Sequence, residues 1–111
     1  MIFSEEELLF PEKFTYYRLN DNSMMPDIPY GATLTIRNVE TNEDVEKVDP
    51  RKLYYICINS LEKRIRYMIK LKDKVILLAN NRSYPAEVYD LTENLISILG
   101  VVEACYCDFK S

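Results

Sequence analysis

The chain contains no histidine, and that absence excludes a Ser-His-Asp triad outright. Glycine is nearly missing as well. Two glycines set against nine tyrosines favour half-buried pleated surface over a helix bundle. Cysteine is scarce: Cys57, Cys105 and Cys107 are an odd set without the Cys-x-x-Cys spacing of a zinc site. A disulfide framework is therefore not expected, which fits a reducing cytoplasm. Cys105 and Cys107 share one face of a strand-like segment and are expected as small buried apolar residues. No run approaches the ~18 apolar residues of a membrane span. Met1 to Phe10 has neither the basic start nor the apolar core of a signal peptide. A basic excess is also lacking. With a net charge of −4 this segment is not expected to grip a phosphate backbone, so any DNA contact would belong to a separate, more basic N-terminal module.

What is present describes one globular domain over residues 1–111, with an N-terminal arm over 1–13 and a β-domain over 14–109. Ser4-Glu5-Glu6-Glu7 has the pattern of a capping box and predicts one helical turn through Leu9, stopped by Pro11. Strands are expected over Phe14–Leu19, Ala32–Arg37, Leu53–Ile58, Arg64–Leu71, Val75–Ala79 and Leu95–Tyr106, in a total of roughly seven. Gly100 reads as a bulge or bend in the last of them. Asn38 to Asp49 is an acidic loop, and Asn59–Lys63 and Lys72–Lys74 are turns. The expected fold class is mainly β, with almost no helix.

The most informative stretch is Asp21-Asn22-Ser23-Met24-Met25-Pro26, followed by Asp27-Ile28-Pro29-Tyr30-Gly31. It sets Ser23 on a Pro- and Gly-bounded turn between two strands, the setting of an exposed nucleophile. Met24 and Met25 are expected to pack rather than to bind a ligand. The Asx-Ser-Met-x-Pro pattern resembles the serine motif of the LexA and phage-repressor autopeptidases, the S24 family. Two further segments carry the resemblance in order. Val75 to Pro85, with Asn80, Tyr84 and Pro85, looks like the family's loop after the hairpin. Ile98-Leu99-Gly100-Val101-Val102 is similar to its closing strand. The chain departs from the pattern at Asp21, where glycine is common, at Asn22, where aspartate is common, and at Ala32, where an acidic residue is usual.

The resemblance implies a LexA-like fold of short, strongly curved antiparallel sheets, and a serine activated by a lysine. A serine hydroxyl is a weak nucleophile at neutral pH and needs such a base. Anchored on the Asn80–Pro85 loop, the family's lysine position carries Arg66, whose guanidinium stays protonated and is not an accessible base. Lys63 lies at an odd offset and points to the opposite strand face. Lys70 shares the face of Arg66 but lies roughly 13 Å along the strand, and only a bulge would bring either closer. Arg64, Arg66 and Lys70 form a basic row, expected as a solvated face or as partners for the acidic Glu40–Glu46 loop. The family's cleavage bond, Ala-Gly or Cys-Gly, is also not found among Met1 to Asn22, which contain neither glycine nor alanine.

The reading that follows is the C-terminal regulatory and dimerisation domain of a bacterial LexA- or phage-CI-like transcriptional repressor whose Ser-Lys dyad has been lost. It would form a homodimer through Leu95–Val102 and use no cofactor or metal. The alternative is an active S24-type serine peptidase with Ser23 as nucleophile and Lys70 or Lys63 as base. A third possibility is a stand-alone chain that pairs with an intact family member.

Overall fold

The computed structural model describes residues 4–39, 47–93 and 95–106. The chain enters through a short helix, α1 (Glu5–Leu9), and a 3-10 turn over Pro11–Lys13. Ser4 caps α1 by accepting the Glu7 backbone N–H at 3.1 Å, as the sequence pattern predicts. The reciprocal arm of the box is not made. The Glu7 carboxylate is buried and accepts from the Tyr16 hydroxyl instead, tying α1 to the sheet.

Seven strands follow: β1 (Phe14–Arg18), β2 (Thr33–Asn38), β3 (Leu53–Ile58), β4 (Glu62–Leu71), β5 (Lys74–Leu78), β6 (Glu87–Asp90) and β7 (Ile96–Tyr106). They form one sheet in the order β1-β2-β7-β3-β4-β5-β6, and every neighbouring pair is antiparallel. The fold is mainly β, as expected. Sequence reasoning missed β6, a four-residue edge strand. It also began β4 too late, because Asn59 and Ser60 take the left-handed conformation and complete the turn before Glu62. Lys72, also left-handed, leaves Lys72 and Asp73 as the only residues between β4 and β5.

The last strand is central. β7 pairs with β2 on one edge and β3 on the other, and its register slips once against each. Such bulges bend a strand and increase its twist, which curves the sheet around β7. Gly100 is the residue that lets β2 come close. A Cβ there would lie 2.4 Å from Ile36 Cγ2 and 2.6 Å from the Arg37 carbonyl oxygen. The residue left without a partner opposite β3 is Leu99, so the bulge sits one residue before the glycine.

Two hydrophobic clusters use opposite faces of β3, because Tyr54 belongs to one and its neighbour Tyr55 to the other. The first is built from β3, β4, β5 and β7, with Ile56, Met68, Val75 and Leu77 at its centre. The second joins Leu34, Ile36 and Ile65 to Leu19 and Met24. Met24 is 1% exposed, so the turn that carries Ser23 is anchored in the core by the side chain next to it. Met25, expected to pack, is exposed, since adjacent residues of the turn diverge. Cys105 is exposed as well, against the expectation of burial, while Cys57 is half-buried. Cys107 and the Glu40–Glu46 segment lie outside the described residues. Among the described residues no helix is long and apolar enough to cross a membrane.

Candidate functional site

The chain between β1 and β2 is a compact turn stack. The Leu19 N–H donates to the Ala32 carbonyl and the Gly31 N–H to the Leu19 carbonyl, each at 2.8 Å, closing the base of the loop. Gly31 has φ +87°, a conformation that disfavours any residue with a Cβ. Above that base the Met25 N–H donates to the Asn22 carbonyl and the Ile28 N–H to the Met24 carbonyl. The Met25–Pro26 peptide is cis.

A second loop clasps this one. The Asn81 N–H donates to the Ser23 carbonyl at 2.8 Å and the Asn81 side chain to the Asn22 carbonyl at 2.9 Å. The Asn80 side chain donates to the carbonyls of Met24 and Met25, at 3.2 and 3.1 Å. The Tyr84 hydroxyl accepts the Asn22 N–H. Asn81 in turn shapes its own loop, accepting the Ser83 N–H on its side chain and the Tyr84 N–H on its carbonyl. Pro85 closes the loop at the surface. Asn22, Met24, Asn80 and Tyr84 thus meet around the serine as holders of backbone, a role that loop-forming amides suit. Asn81 does as much as any of them, yet no single-residue signal in the sequence distinguishes it from Asn80.

Ser23 is not exposed. It is fully buried, at 0% accessibility, which corrects the expectation of a surface nucleophile. The cause is the pair of anchors just described, Met24 beneath it and the Asn80–Tyr84 loop across it. Its hydroxyl donates to Asp21 Oδ1 at 2.5 Å, and the same oxygen accepts the Ser23 N–H at 3.0 Å. In the sequence Asp21 stands out only as a departure from the family pattern, at a position where glycine is common. The legible signal was its place two residues before the serine, where an Asx side chain turns back onto the backbone.

Arg66 on β4 is buried, at 7% accessibility. Its Nη1 donates to the Ile65 carbonyl at 2.8 Å, and its guanidinium carbon lies 5.7 Å from the centre of the Tyr84 ring. Burial lowers its pKa from the ordinary arginine value, while the charge of Asp21 opposes that shift. It remains a cation and cannot accept a proton from Ser23. Tyr17 feels the same charges: burial, then Asp21, raise its pKa, and Arg66 acts against them.

The pairing of β4 with β3 and with β5 runs without a register shift. No bulge in this strand brings Lys63 or Lys70 into the place of Arg66. Lys63 is exposed on the other strand face, and Lys70 is half-buried four residues further on. Of the basic row, Arg64 has partners among the described residues, whereas the Glu40–Glu46 segment expected to face the row lies outside them. Arg64 pairs with Glu87 on β6 and with Glu62 on its own strand, which hold its guanidinium firmly protonated against burial.

Ser23 on the β1–β2 turn is thus clasped from the β5–β6 loop, with Asp21 beside it under the electrostatic influence of the buried Arg66 of β4. The chain belongs to the Peptidase S24-like family, whose profile matches residues 2–103. No curated protein matches the chain.

Proposed function

We propose that this domain is a regulatory and dimerisation module of a cytoplasmic LexA- or phage-CI-like repressor that has kept the S24 architecture without its proton acceptor. The observation that carries the reading is the state of Ser23. The hydroxyl is buried and donates to a carboxylate, and the buried basic residue in reach of that carboxylate is arginine. General-base activation of a serine needs a neutral nitrogen within about 3 Å, and a guanidinium does not supply one.

The proposed dimer contact involves the β7 region, which pairs with β3 over Ile96–Val101 and with β2 over Gly100–Tyr106. Val101 and Val102, half-buried, line a groove of about 480 Å³ together with Leu53 and Tyr67. Arg51 and Lys52 lie at this groove, as does Glu103. A two-fold contact over it would set each copy's basic residues against the other's Glu103, the self-complementarity an isologous interface requires.

Incubating the purified chain with a peptide that holds an Ala-Gly bond, from pH 7 to pH 10, tests the reading when combined with sedimentation equilibrium. The expected result is an intact peptide and a concentration-dependent dimer. Peptide cleavage that disappears in Ser23→Ala would replace this reading with the peptidase.

A further inference from the structure

We infer that Asp21 is a second lock on Ser23, separate from the missing lysine, so that restoring the lysine alone leaves the hydroxyl unactivated. The inference rests on the reading of a domain without a proton acceptor and adds a residue that would hold it off even with one.

In a serine-lysine pair the Oγ–H bond breaks as a neutral amine takes the proton, leaving an alkoxide and an ammonium. Asp21 acts against each part of that step. The serine has one hydroxyl proton, and it is directed to Asp21 Oδ1 at 2.5 Å, the length of a charge-assisted O–H···O⁻ bond. An alkoxide formed beside that carboxylate would be a second negative charge in contact with the first, which disfavours ionisation. A carboxylate also favours the charged form of any amine set where Arg66 stands, so the neutral amine would be scarce. The backbone fixes the carboxylate in this position, because the Ser23 N–H donates to the same oxygen. Arg66 completes the arrangement as a permanent cation within electrostatic reach of Asp21. The other groups acting at that position are Arg64 on β4, Glu87 on β6 and Tyr84 of the clasping loop, with Tyr17 on the β1 side.

The test compares Arg66→Lys with the double variants Asp21→Asn/Arg66→Lys and Asp21→Gly/Arg66→Lys. Asparagine keeps an acceptor for the Ser23 N–H while removing the charge, so it separates electrostatics from turn geometry. The lysines are labelled with 13C at Cε, and the resonance unique to the Arg66→Lys proteins is titrated by NMR. The expected result is a proton affinity of the introduced amine about tenfold or more lower in both double variants than in Arg66→Lys. Equal titration in all three would overturn the inference. The unmodified chain supplies a second reading that needs no variant to fold. Its Ser23 hydroxyl proton should be protected from solvent exchange and should lose that protection in Asp21→Gly. A rapidly exchanging hydroxyl in the unmodified chain would overturn the inference as well. Cleavage of an Ala-Gly peptide by the unmodified chain would instead sink the reading beneath it, whatever the titrations give.

Discussion

At the residue scale, small departures decide what this domain can do. Arginine and lysine both carry a positive charge, but only lysine can be brought by burial to give up its proton near neutral pH. On the proposed reading, Arg66 therefore preserves the charge of the position and removes its chemistry. Gly100 makes a comparable point about structure. Its missing Cβ is what lets β2 lie against the middle of β7, with Ile36 and the Arg37 carbonyl both inside contact distance. Gly100→Ala should destabilise the fold by about 1–3 kcal/mol through overpacking. Urea unfolding should report this as a lower midpoint with an unchanged slope.

The roles of Ser23, Arg66 and Asp21 were legible to different degrees. The Ser-Met-x-Pro pattern and the family resemblance anchored on the Asn80–Pro85 loop pointed to Ser23 and Arg66. Their burial was not readable, because it depends on Met24 entering a core assembled from β2, β3 and β4, and on a loop nearly sixty residues away. Cys105 was misread for a related reason. Alternation along a strand identifies which residues share a face, not whether anything covers that face.

At the scale of elements, local chemistry was legible and edges were not. The Ser4 cap and Pro11 bracket α1, and the hairpin turns stand where polar residues interrupt apolar runs. β6 escaped notice because an edge strand of four residues, Glu87-Val88-Tyr89-Asp90, has an exposed valine and too little alternation to register. The attachment of α1 is polar. Arg37 takes Glu6 with both terminal nitrogens, at 2.8 and 2.7 Å, and also pairs with Glu103 on β7. Its hydrogen bond from Arg37 is the main cause that holds the Glu6 carboxyl below the ordinary value of 4.5. A carboxyl depressed by folding stabilises the folded state fully above its unfolded value, and the contribution fades as pH falls through the folded one. Docking of α1 should therefore be intact at neutral pH and weaken below about pH 4.5, and the acid side of the stability profile should flatten in Glu6→Gln. Hydrogen exchange of the Glu7 and Leu8 amides across that pH range would measure it. Ser4→Ala should loosen the same helix by about 1 kcal/mol at all pH values.

For the whole molecule, β7 lies inside the seven-stranded sheet, paired with β3 over Ile96–Val101 and with β2 over Gly100–Tyr106. The Val101–Val102 groove, with Arg51, Lys52 and Glu103 around it, is the surface on which the dimer proposal stands. Lys52 is exposed, so Lys52→Glu should leave the monomer fold intact while weakening the dimer by about 1 kcal/mol over the two symmetric contacts. Sedimentation equilibrium of both proteins at low salt measures the difference, which should shrink as salt is added. Under the proposed function, the acidic net charge would leave any DNA contact to a separate, more basic module.

The central claim is that Ser23 is a held hydroxyl and not a nucleophile. Intact-mass measurement after exposure to a small fluorophosphonate, at steps from pH 6 to pH 10, tests it most directly. The account predicts no adduct on Ser23 at any pH in this range. A one-to-one adduct mapped to Ser23, forming faster as pH rises through the titration of a lysine, would contradict it.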